Sequence, residues 1–222
     1  MIEVLKSTIL FFSTLFPVVN PLGGSPIFLL LSHEYSSATR SILARRIAFN
    51  SFFLLAASFL IGTHILAFFG ISLPVVQVGG GLLVASTGWM MLNEKFEDET
   101  KGASRHPVDP ADILKNAFYP LTMPLTVGPG SISIAITLGA NAPRHHGIDF
   151  LALASALVGS LLIAASVFLC YAGAERLARL LGASGMSVIV RLSSFLLVCI
   201  GVQIAWNGVK GLLATLPPQV HG

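Results

Sequence analysis

Charge is what this chain has least of. Only 10% of its 222 residues are Asp, Glu, Lys or Arg, against about 25% in a typical soluble domain. A water-facing surface cannot be covered with so few charges, and a mean hydropathy of +0.82 agrees. Cysteine is scarce too. Cys170 and Cys199 lie inside apolar runs without metal-ligand spacing, which leaves no basis for a disulfide scaffold or a zinc site. Long apolar runs hold no acid at all, which argues against a carboxylate-driven pump and against a sodium site built on charged ligands. The Gly79-Gly80-Gly81 run lacks the Lys-Ser/Thr that a phosphate loop requires, so close helix packing is its expected use.

What remains is a membrane protein. Runs free of charged residues cover 7–33, 47–93, 116–143, 150–174 and 192–209. A spanning helix needs about 20 residues, so 47–93 holds two, turning at Gly70-Ile71-Ser72-Leu73-Pro74. Six spans follow, near 7–32, 47–69, 72–92, 116–140, 150–172 and 188–209. The apolar N-terminal run exceeds signal-peptide length and is expected to be a retained first span.

Ten of the thirteen positive residues fall in the first, third and fifth connections: Arg40, Arg45, Arg46, Lys95, Lys101, Arg105, Lys115, Arg176, Arg179 and Arg191. Lys6, Arg144 and Lys210 lie on the other side. Positive residues concentrate in the cytoplasm, so both termini are expected outside it. The net charge of +3 is explained by this sorting, and no nucleic-acid partner is expected.

Two segments repeat each other. Phe16, Pro17, Pro21 and Pro26 coincide with Tyr119, Pro120, Pro124 and Pro129, each pair 103 positions apart. A weaker match sets Leu83 through Gly88 against Leu196 through Gly201, at an offset of 113. Three spans return the chain to the opposite side, so a second set of three is inverted. The expected fold is therefore an all-α membrane protein with six transmembrane helices in an inverted 3+3 repeat. Its first and fourth spans are broken. Residues 1–93 form one repeat, 94–115 a cytoplasmic linker and 116–222 the second repeat.

The breaks are the candidate site. Proline removes a backbone donor, and in hydrocarbon the freed carbonyl must be satisfied by protein or trapped water. Paired, Pro-interrupted spans in the two halves point to a transporter's binding site. Ser25 is expected to cap a restarted helix with Pro26 at its first position, and Gly128 with Pro129 repeats the pattern. Such half-helix N-termini hold anions without basic side chains. The candidate binding residues are Asn20, Pro21, Gly23, Gly24, Ser25, Thr122, Pro124, Thr126, Gly128, Pro129, Gly130, Ser131 and, in the last span, Gln203. Ser133 offers one more hydroxyl. Gln77, Asn50, Asn93 and Asn207 are further amides within or at the ends of spans, and His64 near one span's outer end is a possible proton relay. An enzyme built on Ser131 and His64 lacks both the Gly-x-Ser-x-Gly pattern and an orienting third group; no enzymatic activity and no cofactor are expected.

The Asn20-Pro21-x-Gly23 segment, the Pro124-x-x-x-Gly128-Pro129-Gly130 segment and the Arg191 to Gln203 stretch together resemble the MarC family of integral membrane proteins, over nearly the whole chain. The resemblance implies a multi-pass protein of the bacterial inner membrane. It further implies transport of small neutral amino acids, with coupling to a proton or sodium possible and membrane lipid as surroundings. Met123 stands where the first half has Asn20, so the half-sites are not chemically equivalent. The rival readings are a lipid-phosphate or other small-anion carrier and a structural membrane protein. The sequence sets no oligomeric state.

Overall fold

The computed structural model describes residues 2–33, 35–93, 117–142 and 150–215. Among these residues there are helices and no strands: α1 (Ile2–Val19), α2 (Pro21–Leu31), α3 (Ser37–Phe68), α4 (Leu73–Asn93), the kinked helical segment α5 (Ala117–Thr126), α6 (Pro129–Ala140), α7 (Phe150–Ala172) and α8 (Ala174–Leu213). Four helices are long and apolar enough to cross a membrane. Counting the bent pairs α1–α2 (40°) and α5–α6 (69°) as one span each gives up to six. The linker proposed at 94–115 and the positive residues Lys95, Lys101, Arg105, Lys115 and Arg144 lie outside the described residues.

Helix ends differ from the apolar runs for a physical reason. Charge marks where hydrocarbon stops, but a helix continues into the interface. Thus α3 begins ten residues before the expected 47, capped by Ser36, whose hydroxyl accepts from Thr39 N–H (3.2 Å). Helix α8 starts at Ala174 and is interrupted at Gly182 (φ 65°, ψ 179°), a left-handed backbone that favours glycine. The turn at Gly70 (φ 66°) falls where the sequence places it.

Lipid-facing and buried residues segregate as in a membrane bundle. Leu15, Phe28, Leu43, Ile47, Leu55, Ile163 and Val167 are fully buried, whereas Phe68, Phe150, Leu169 and Leu180 stand out from the surface. Both halves contribute to one apolar core. Without a hydrophobic drive between helices in lipid, close packing at small residues decides association. Helices α4 and α8 meet this way, and they run antiparallel: Pro74 and Val78 lie against Gly208, Gly81 against Gly201 and Ala205, and Gly88 against Ser194 and Val198. A second contact of the same kind sets Gly80 against Ser133 and Gly130 of α6, and the Ser133 hydroxyl donates to the Val76 carbonyl (2.9 Å).

On one side of the bundle Arg40, at the start of α3, forms an ion pair with Glu175 at the start of α8 and donates to the Ser32 carbonyl (3.3 Å). The first and fifth connections therefore share a side, as the charge sorting requires. Cys170 and Cys199 are both free thiols.

A β-carbon at Gly201 runs into Ala85 N–H and the Gly81 carbonyl, backbone that cannot step aside, whereas one at Gly79 meets open space. Gly201→Leu should lower thermal stability in detergent by about 1–3 kcal/mol or more. Gly79→Ala should leave the melting temperature unchanged or raise it.

Candidate functional site

Helix α1 ends and α2 begins at one residue, Asn20. Its N–H donates to the Phe16 carbonyl and its own carbonyl accepts from Gly24 N–H, both at 2.9 Å. To serve both helices it adopts the left-handed conformation (φ 48°, ψ 58°), which Asn tolerates better than most residues. Its side-chain Oδ1 caps α2 by accepting from Gly23 N–H (3.0 Å), and Pro21 takes the first helical position. This corrects the expected restart at Ser25-Pro26. Ser25 lies inside α2, fully buried, and its hydroxyl donates to the Leu22 carbonyl (2.8 Å). The earlier start wins because Asn20 supplies both the special backbone and the cap, leaving Ser25 nothing to cap.

The second break is built differently. Tyr119 and Met123 are extended within α5, each joined to the proline that follows by a cis peptide bond. The hydroxyls of Thr122 and Thr126 reach back five residues to the carbonyls of Ala117 (2.6 Å) and Leu121 (2.7 Å), and Val127 N–H donates to the Thr122 carbonyl (2.8 Å). Side-chain hydroxyls thus supply hydrogen bonds to backbone carbonyls along this irregular stretch. Helix α6 then starts as expected, at Gly128 with Pro129 first, but no side chain caps it.

Both restarts open onto one cavity of about 540 Å³. Of the residues proposed from sequence, Asn20, Gly24, Pro124, Thr126, Gly128, Pro129, Gly130 and Ser131 line it. Pro21, Gly23, Ser25 and Thr122 do not: they turn inward to hold the breaks together. Gln203 is also absent, because it lies on α8 beside a different cavity. Among the described residues no charged side chain lines the main cavity. Its remaining wall is largely apolar, from Val18, Ile27, Leu83, Val84, Met91 and Leu197. Asn20 Nδ2 is buried without a hydrogen-bond partner among the described residues, a donor left free beside the α2 N-terminus.

Tyr171 is a residue that the sequence conceals. An aromatic near a span's end reads as an interfacial anchor, yet Tyr171 is fully buried. Its ring stacks on Phe28 (4.7 Å), and its hydroxyl lies 3.0 Å from the Thr126 hydroxyl. A β-carbon at Gly24 would meet that same hydroxyl at 2.6 Å. One side chain therefore joins the two breaks. Asn50 also contributes from α3, donating to the Thr122 hydroxyl (3.3 Å). Ser131 donates to the Gly128 carbonyl (2.9 Å), while His64 is exposed on α3.

Comparison with known proteins places this architecture. The family model described as MarC family integral membrane protein matches residues 5–213. The membrane protein YvbG of Bacillus subtilis (strain 168) is 33% identical, over 92% of this chain and 95% of its own length. The inner membrane protein MarC of Salmonella typhimurium is 33% identical, over 97% and 99%. Its counterpart in Citrobacter koseri is 34% identical over the same shares. No solved structure matches the chain.

Asn20→Ala removes the cap and forces a less tolerant residue into the left-handed region, so it should cost about 1–2 kcal/mol of stability. Asn20→Gly restores the backbone freedom and should cost only a few tenths of a kcal/mol. Thermal melts of the two variants in one detergent compare them directly.

Proposed function

We propose that this chain, which belongs to the MarC family of integral membrane proteins, is a secondary transporter moving small neutral amino acids across the inner membrane by alternating access. The observation that carries the reading is the meeting of two half-helix N-termini at one cavity whose described lining carries no charged side chain. The uncapped start of α6 presents backbone N–H groups at Gly130 and Ser131, while α2, whose Gly23 and Gly24 N–H groups are taken by Asn20, adds the positive end of its dipole. A solute carboxylate sits there, with the free Asn20 Nδ2 as a further donor. The ammonium group rests on backbone carbonyls at the Pro124–Gly128 turn, and the apolar wall receives a small side chain. A zwitterion carries no net charge into a site that has none, and backbone carbonyls at the breaks suit a coupling proton or sodium.

An inverted 3+3 repeat supplies the motion. Its support is the reciprocity of packing: α3 against α7, α4 against α8, α1 against α7 as α3 is against α5, α2 against α7 as α3 is against α6, and α2 against α8 as α4 is against α6. Elements holding the same place in the two repeats are paired in each case. Rocking one repeat against the other exposes the fixed site to either side in turn, and the positive-residue bias supports an orientation with both termini outside the cytoplasm.

One observation favours a second reading. Leu31, Leu83 and Met90 line the cavity and are also exposed on the bundle surface, so the site borders lipid. That arrangement suits a lipid-phosphate carrier, with phosphate at the half-helix ends and chains in the bilayer.

Radiolabelled glycine and L-alanine uptake into proteoliposomes decides between them. The native chain should show uptake under a proton or sodium gradient. Asn20→Ala and Gly128→Leu should each reduce it about tenfold or more, matching loss of a charge-assisted hydrogen bond of roughly 1.5–3 kcal/mol. No uptake under either gradient, with dependence on an anionic lipid headgroup instead, would select the second reading.

A further inference from the structure

A second cavity, of about 350 Å³, lies on the side of the breaks nearer the two chain termini. The four helices that line it agree on that placement. Thr14 precedes the α1 break, Gln77 is in the first turns of α4, Thr137 is near the end of α6, and Gln203 and Asn207 are in the last third of α8. The main cavity takes later residues of α1 and α4 and earlier ones of α6 and α8.

The wall between the cavities is thin. Leu197 of α8 lines the main cavity and Ile200 the second; on α6 the pair is Ser131 and Ile134. Residues three apart share a helix face and lie about 5 Å apart along the axis, so the cavities are stacked end to end. Val18, Val84 and Leu197 belong to one small apolar cluster at the divide.

The second cavity is walled mainly by apolar groups, like the first, but three side-chain amides line it. Gln203 Nε2 donates to Asn207 Oδ1 (3.1 Å), with both residues exposed on α8, and Gln77 faces the same space from α4. Gln203 lies seven residues inside Lys210, roughly 10 Å along the helix axis. Primary amides exposed at that depth need water or a polar ligand. After their mutual bond they retain both donors and acceptors and carry no charge, the chemistry that matches a carboxylate and an ammonium together.

We infer that the second cavity is the outward vestibule of the transport path, and that Gln77, Gln203 and Asn207 form an amide station that takes the zwitterionic solute before it passes the apolar divide. This rests on the transport reading above, yet its test is separable, because water access is read without transport. In a full-length chain carrying Cys170→Ala and Cys199→Ala, single cysteines are placed by Gln203→Cys, Asn207→Cys and, as a lipid-facing comparison, Val202→Cys. A membrane-impermeant maleimide is supplied to intact cells. Gln203→Cys and Asn207→Cys should label at least tenfold faster than Val202→Cys, and L-alanine should slow them severalfold. Asn207→Cys reports on the same cavity should Gln203→Cys fail to insert.

Labelling of both sites no faster than Val202→Cys, in a chain that still takes up alanine, would overturn the vestibule and leave transport standing. Labelling only by reagent supplied from the cytoplasmic side would overturn its outward placement. Labelling unaffected by L-alanine would overturn the amide station. Fast, alanine-sensitive labelling without any uptake would uphold the station while contradicting the transport reading.

Discussion

Backbone hydrogen bonding in hydrocarbon is the constraint on which this structure depends. A spanning chain must satisfy its own polar groups, and this chain breaks two spans with proline. At the first break Asn20 bonds with the helix on either side of it and caps the second with its side chain. At the second, Thr122 and Thr126 lend hydroxyls to carbonyls five residues back. Repair is complete enough for the breaks to persist and incomplete where they face each other. The uncapped start of α6 and an Asn20 Nδ2 without a partner among the described residues remain, and both belong to the cavity-lining segments.

Small residues make the frame in which those breaks can meet. Gly81, Gly88, Gly201 and Gly208 let α4 and α8 approach to backbone contact, and Gly80 with Gly130 brings α6 against α4. Tyr171 then spans from α7 to Thr126 and Gly24. The polar break is thus held from outside by packing and from inside by one buried phenol. Its geometry is set by the fold itself, which is what the proposed anion site requires.

The span count, the Gly70 turn and the location of both breaks were legible in the sequence because each rests on a local signal: absence of charge, glycine, or repeated proline. The exact restart of α2 was not. Ser25-Pro26 and Asn20-Pro21 offer the same cap-then-proline pattern, and only the need to end α1 at the same residue separates them. Thr122 and Gln203 show a second limit. Hydroxyls and amides in apolar runs look alike on paper, but Thr122 is spent on backbone repair and Gln203 belongs to another cavity. Tyr171 was hidden because its partners come from sequence-distant elements.

The central claim is that the two half-helix N-termini bind a carboxylate. Thermal melting of the purified chain with L-alanine and with L-alaninamide, which keeps the ammonium but lacks the carboxylate, tests it most directly. A ligand that binds only the folded state raises the melting temperature, and the rise continues with the logarithm of its concentration above Kd. The account predicts a concentration-dependent rise with L-alanine and none with L-alaninamide. Equal stabilisation by both, or by neither, would contradict it.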